Sequence, residues 1–568
     1  MCARFKYAYS LQTHSRLERG GNIFDPRERP QPITFRACLF VACLLLCDLA
    51  SAAPSITLSK KSGPPTSKIL VSGRGFEPNV GVDIFFDTKD ETLIVTNNEG
   101  EFQNAGVYAP RSAHPGQHWV TALERNNDKG AQEVFLVQTD WPQGRFDVSL
   151  TGTNPYENVL NARMVAGLSL KWRYPNGHRI FSCPAVRAGV VYIADWPDPG
   201  HETSNLYALE ADDGSLLWSF VAYGFSPCPA VVTDIVYVGG GIYVYALNAH
   251  NGHIIWSFGT GNTITTSPTV SDGVVYVGSQ DGNLYALDAY SGVLLWSNAI
   301  GPFVSSAAIA NGVIYVGGGK NQGLYALDAR SGNVLWSFAA QVGPSPAVAD
   351  DIVYASAGNT TLYALNATTG AALWSYTVPS GLGESAPAFA NGVVYIGTGY
   401  EPNVPGHVIA LSASTGALLW DYEAGDRVNS SPVVADGVVY VGSEDNNIYA
   451  LDANNGVLLW EYVTGGLVES SAAVSDGVVY IGSNDGNVYA FDLKPGEDKG
   501  EKDSKRPTFK TLRPDFNLKV SGRFETGNRQ VPSNKLTKSG ITRFDCCSMS
   551  AMAIYRHSRR LLTGRVAG

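Results

Sequence analysis

The chain has 568 residues, among them 61 glycines, 28 tyrosines and 11 tryptophans, with four methionines and 16% charged residues. That is a β-rich composition, long enough for two or three domains. The formal net charge of −10 is uneven, with 17 basic against 7 acidic residues from Lys494 onward. The acidic body that remains argues against nucleic acid as a partner, because phosphate contacts need a basic surface.

Residues 1–52 read as a leader and signal peptide. Arg36 precedes an apolar run over 37–49, followed by Ala50-Ser51-Ala52 and Ala53-Pro54. This is a charged region, a short apolar region and an A-x-A site, with cleavage expected after Ala52 and a periplasmic or secreted product. The run is too short to span a membrane. Cys43 and Cys47 lie inside it rather than just after it, so a lipid anchor is not expected. Four cysteines then remain, Cys183, Cys228, Cys546 and Cys547, too few for a disulfide-built fold.

Over 53–138, short alternating segments at 68–72, 82–86, 118–122 and 133–137 are separated by Pro and Gly. The spacing predicts a small immunoglobulin-like β-sandwich. Residues 139–166 read as a linker.

From 167 to 493 one unit recurs, as in 272–296, with landmark tryptophans Trp172, Trp218, Trp256, Trp296, Trp336, Trp374, Trp420 and Trp460. Each copy reads as four short strands, in the seventh at 431–434, 438–442, 448–451 and 458–462. Asp-Gly and Asn-Gly turns part them. Four strands per repeat of about 40 residues is the pattern of a propeller blade. The fold class is therefore all-β, an eight-bladed propeller with four-stranded blades preceded by the sandwich. The segment around Trp172 is a fourth strand that precedes every other blade element, so it is expected to pair with the last blade and close the ring. The eight tryptophans are assigned to blade docking, each burying its ring against the next blade.

The stretch Ala-Leu-Asp-Ala-x-x-Gly-x-x-x-Trp, at 286–296, 326–336 and 450–460, resembles the tryptophan-docking motif of quinoprotein-like propellers. That family includes the pyrroloquinoline quinone (PQQ) dehydrogenases and non-catalytic BamB-type propellers. The dehydrogenases hold PQQ and calcium beside a catalytic Asp, often near a disulfide between adjacent cysteines. Here the adjacent pair Cys546-Cys547 falls in the tail, and no residue matches the family's calcium ligands or catalytic Asp. The resemblance therefore implies a BamB-like monomeric scaffold without cofactor, binding protein partners or surface glycan at the envelope. The alternatives are a PQQ- and calcium-dependent alcohol or sugar dehydrogenase, and a carbohydrate-binding or adhesive surface protein.

Candidate site residues fall on the loops. Two long second-to-third connections, 195–204 and 399–407, carry Trp196, His201, Tyr400 and His407 and suit partner recognition. The cross-blade loops bring Arg179, Glu384, Arg427, Asn429 and Glu469 toward the channel mouth. There, Glu384 and Glu469 share a repeat position and are either a cation site or solvated lining. No Cys/His cluster has zinc spacing. Cys183 and Cys228 both precede Pro-Ala-Val in neighbouring innermost strands, which are expected roughly 6–8 Å apart, the upper limit for a disulfide. Both a bridge and a pair of free thiols stay open. Residues 494–568 read as a basic, disordered tail.

Overall fold

The turns of the repeat build the sheets. The computed structural model describes residues 53–197, 203–224, 227–301, 305–318, 323–340, 342–358, 360–378, 381–399, 404–494 and 504–512. His201 and Tyr400, the leader and most of the tail lie outside these. In most repeats the first and second strands meet in a two-residue turn with both residues at positive φ, such as Asp272 (49°) with Gly273 (77°). This mirror-image turn matches the right-handed twist of the flanking strands, and Asp-Gly and Asn-Gly suit it best. Between the third and fourth strands the register slips by one residue just before the tryptophan. Ala286 then lies opposite Trp296, and Leu287 opposite Leu294.

Among the described residues the repeats make eight sheets of a β-propeller. Each runs from a three-residue innermost strand outward through the second, third and fourth strands. In the last, Leu168–Pro175 supplies the outer strand, pairing antiparallel with Asn487–Leu493 so that Leu168 faces Leu493 and Pro175 faces Asn487. The earliest strand of the propeller and the latest therefore share one sheet, as the strand count required. Innermost strands lie side by side around the centre, Ala185–Arg187 beside both Ala230–Val232 and Ala473–Ser475.

One contact repeats between neighbouring sheets. The indole N–H of Trp256 donates to the Ala289 carbonyl of the next sheet at 2.9 Å, and the Tyr237 hydroxyl donates to the same oxygen at 3.0 Å. Trp218 and Tyr192 share Ala249 in the same way, and Trp336 and Tyr315 share Ala367. The ring of each tryptophan lies on a turn glycine. A Cβ at Gly292 would sit 2.6 Å from Trp256, and one at Gly252 2.5 Å from Trp218. Both glycines also have φ of +70°, so close approach and backbone conformation each select glycine. At the closing sheet this turn is missing, because the outer strand comes from elsewhere in the chain. Trp460 donates instead to the Leu168 carbonyl, at 3.1 Å.

The stretch read as a linker is built into the ring. Residues 141–154 run through the centre and bond in turn to the middle residue of the innermost strands. The N–H groups of Val186, Val231, Ile309, Val348, Phe389 and Val434 donate to the carbonyls of Trp141, Pro142, Val148, Ser149, Thr151 and Gly152. Gln143 Oε1 accepts from Val270 N, and Asn154 Nδ2 donates to Val474 O. Thr153–Asn154 adds a short parallel strand beside Val433–Ala435. This central plug satisfies donors on the free inner edges that would otherwise be buried unpaired. Sequence reading missed it because the segment has no period of its own.

The N-terminal unit is a β-sandwich of two sheets. With β1 Ser55–Leu58, β2 Ser62–Gly63, β3 Lys68–Arg74, β4 Gly81–Phe86, β5 Lys89–Val95, β6 Phe102–Tyr108, β7 Gly116–Glu124 and β8 Gly130–Val137, the orders are β1-β3-β6 and β2-β8-β7-β4-β5. A shared core of Ile69, Val71, Ile84, Phe86, Val107 and Phe135 fills the space between them. Part of the segment read as disordered tail packs here, in correction of that reading. The Trp119 indole donates to Ser504 O at 3.2 Å, Arg506 lies 5.0 Å over the Trp119 ring, and Leu512 is buried beside Phe85 and Leu123.

Carboxylates tie the segment that follows the sandwich to the last sheet. Thr139 Oγ1 lies 3.2 Å from both Glu157 Oε2 and Asp476 Oδ1, and Asp476 also accepts the Thr139 N–H at 2.6 Å. Burial, reinforced by Asp140 and Glu157, pushes the Asp476 carboxyl up to about 7. Between the ordinary carboxylate range and that value the folded chain holds a proton the unfolded chain has lost. The proton's contribution is complete below the ordinary carboxylate value, declines across that window and is gone once the pH has risen through 7. Wild-type stability should accordingly fall by roughly 2–3 kcal/mol from pH 5 to pH 8 relative to Asp476→Asn, read by urea denaturation at each pH. A second expectation concerns the glycines. Gly312 has φ +76° with open space at its Cβ position, so Gly312→Ala should lose only about 1–2 kcal/mol of backbone strain. Gly292→Ala adds the clash with Trp256 and should lose clearly more; equal losses would separate docking from that contact.

Candidate functional site

The loops that enter the innermost strands surround a funnel of about 720 Å³ floored by the plug. Its wall is set by one repeat position, occupied in turn by Cys183, Cys228, Ser267, Ser306, Ser345, Ala386, Ser431 and Ser471. Here one sheet grips the next. The N–H groups of Ser267, Ser306, Ala386 and Ser431 donate to the hydroxyls of Ser306, Ser345, Ser431 and Ser471 at 2.9–3.0 Å. Each of these hydroxyl oxygens accepts a backbone proton, which leaves its own proton to donate.

Between the first two sheets the same place holds a disulfide. Cys183 and Cys228 are bonded with Cα atoms 5.0 Å apart, closer than the spacing anticipated for neighbouring strands. The plug lies against the bridge, since a Cβ at Gly144 would sit 3.3 Å from Cys183 Sγ.

The floor carries a buried cation. Arg145 is 8% exposed, donates from Nη2 to the Pro387 carbonyl, and has no partner at Nε or Nη1. Burial pushes its guanidinium down to about 9, against some support from Asp147. Arg145 and Phe146 both have positive φ, 62° and 75°, a conformation that stores strain in residues other than glycine. Nothing in the repeat signals Arg145.

Four of the five expected mouth residues come together at the rim. Arg427 and Asn429 both bond Glu444, Asn429 also accepts the Glu384 N–H at 3.1 Å, and Asn484 donates to Glu469. Burial raises the Glu469 carboxyl, with Glu444 and Glu384 adding to the effect and Arg427 opposing it. Glu384 lines the funnel, exposed, with no side-chain hydrogen bond among the described residues. The expected pair of carboxylates is thus a trio, because Glu444 went unnoticed. Its signal was the variable residue in the turn Gly-Ser-x-Asp-x-Asn, which reads Gln280, Glu444 and Asn484 in three repeats. Arg179 stands apart from that cluster. It lies 5.7 Å over the Phe181 ring, which packs edge-on at 5.2 Å against Trp196, and Trp196 N donates to Arg179 O. His407, expected at a loop tip, starts a strand instead and bonds Asp421 at 2.8 Å.

A model of the family described as outer membrane protein assembly factor BamB matches residues 166–257, 202–319, 240–401 and 379–512, together more than half of the chain. The chain belongs to that family. No curated protein matches it. The quinohemoprotein alcohol dehydrogenase of Comamonas testosteroni is similar in structure at a TM-score of 0.53 and 18% identity, over 62% of this chain and 80% of that one. A europium-containing methanol dehydrogenase reaches 0.52 at 15% identity, over 62% and 98%. BamB from Moraxella catarrhalis stands at 0.48 and 20%, over 58% and 98%. At these identities the two dehydrogenases show the propeller fold alone.

Within this BamB-family ring the bridge can be separated from the grip it replaces. Serine at both positions 183 and 228 restores a hydroxyl to the ring and removes only the cross-link. The double variant Cys183→Ser, Cys228→Ser should keep its circular dichroism spectrum and lose about 2–4 kcal/mol. Non-reducing peptide mapping of the wild type should recover the two cysteine peptides joined.

Proposed function

We propose that the chain is an exported, non-catalytic scaffold. In this reading its eight sheets are the blades of one closed propeller, its sandwich is immunoglobulin-like, and its loop face organises protein partners at the cell envelope. The plug carries the reading. By bonding to every innermost strand it turns the ring into a rigid platform and commits the channel to the chain's own backbone.

The rim chemistry supports the same view. A quinone enzyme of this fold needs several free oxygen ligands for calcium. Here Glu444 is taken up by Arg427 and Asn429, and Glu469 by Asn484. Among the described residues no group of three His, Cys, Asp or Glu side chains is placed to hold a metal ion. The layered Arg179, Phe181 and Trp196 offer instead the arginine and aromatic surface that partner interfaces favour. Export is supported by the leader together with the Cys183–Cys228 bridge, since structural disulfides persist in oxidising compartments.

A photo-crosslinking residue at position 196 of the exported chain should give a discrete adduct with an outer-membrane protein, weakened by Arg179→Ala. The same residue at position 89, on the sandwich, should give none. Stoichiometric binding of PQQ with calcium in isothermal titration, followed by dye-linked oxidation of an alcohol or sugar, would overturn the reading.

A further inference from the structure

The funnel presents hydrogen-bonding capacity that its structural contacts leave unused. Four hydroxyls on its wall, Ser306, Ser345, Ser431 and Ser471, already accept a backbone proton and have only their own to give. Below them Arg145 is more than nine-tenths buried with two nitrogens unpartnered. A buried guanidinium left with unpaired donors is destabilising, and it persists here on two strained residues of the plug. Wall and floor thus form a donor-rich cavity that calls for a ligand rich in acceptors, with an anionic end.

The rim has the opposite character. Among the described residues Glu384, Glu444 and Glu469 lie together with one cation, Arg427, so a purely anionic ligand would be repelled on entry. A ligand with a cationic group at its other end would be drawn in. The chain sets a bound on the spacing. Arg145 bonds the carbonyl of Pro387, three residues beyond Glu384, and three residues span at most about 10 Å. That bound admits a short peptide such as a tripeptide, whose carbonyls would accept from the serines. The cavity volume of about 720 Å³ is ample for such a molecule.

We propose that the funnel binds a short zwitterionic peptide, its carboxylate at Arg145, its carbonyls on the serine hydroxyls and its ammonium at Glu384. This goes beyond the scaffold reading and stands independently of it.

The test is isothermal titration of the purified full-length protein with trialanine, N-acetyl-trialanine and trialanine amide. Trialanine should bind, and loss of either charged end should weaken it at least tenfold. Glu384→Gln, on the exposed rim, should weaken trialanine about tenfold and leave N-acetyl-trialanine no weaker, since one repelling carboxylate is gone. Arg145→Lys should weaken both carboxylate-bearing peptides. If that buried variant does not fold, the amide comparison on wild-type protein still decides the role of the carboxylate. No heat from trialanine, or equal binding of acid and amide, would overturn the proposal.

Discussion

A carbonyl oxygen that serves two donors holds this propeller together. Each docking tryptophan reaches across to the next sheet, and in most sheets a tyrosine of the second strand reaches the same oxygen beside it. The oxygen belongs to the residue that opens the turn, and the glycine closing that turn lets the indole lie flat. Neither partner is apolar throughout, yet where the pair shares its oxygen both bury a large aromatic body while keeping their polar atoms satisfied. Because most interfaces use the same arrangement, the ring is held largely by repetition of one geometry. Where the turn is lost, at the closing sheet, Trp460 finds a substitute carbonyl in Leu168.

Closing a ring leaves two problems that the N-terminal part of the chain solves. The last sheet lacks an outer strand, and Leu168–Pro175 supplies it. The innermost strands each expose an unpaired edge to the channel, and residues 141–154 cover those edges in a single pass. A repeat sequence could not provide the second service, since its side of each contact is the same while the plug must turn from sheet to sheet. Irregular backbone, including the left-handed Arg145 and Phe146, is what lets one segment follow a circle.

The funnel is a consequence of these two devices. The serines that bond neighbouring sheets also line its wall, and the plug that pairs the inner edges also makes its floor. Structural polar groups therefore become the surface a ligand would meet. Between the first two sheets a disulfide replaces the hydroxyl contact at the same repeat position, so covalent and hydrogen-bonded links serve one purpose in one ring.

The repeats were legible in the sequence because local rules wrote them. Period-two strands, Asp-Gly turns and a tryptophan at fixed distance from a glycine each depend on neighbours only a few residues away. The count of those units even foretold which strand would join the last sheet. The site was legible only in part. Arg427, Asn429, Glu384 and Glu469 could be placed at the mouth from repeat position alone, whereas Glu444 joined them only once the second-to-third turn folded over the rim. The plug, the buried Arg145 and the docking of residues 504–512 on the sandwich follow no period. Their partners lie up to about 400 residues away, as Ser504 does from Asp87, with contacts that only chain closure brings together. Sequence by itself determined the four-stranded sheet of each repeat, because its rules are local and repeated. Tertiary structure decided what fills the channel and which charges face each other across it, because those contacts are unique and long-range.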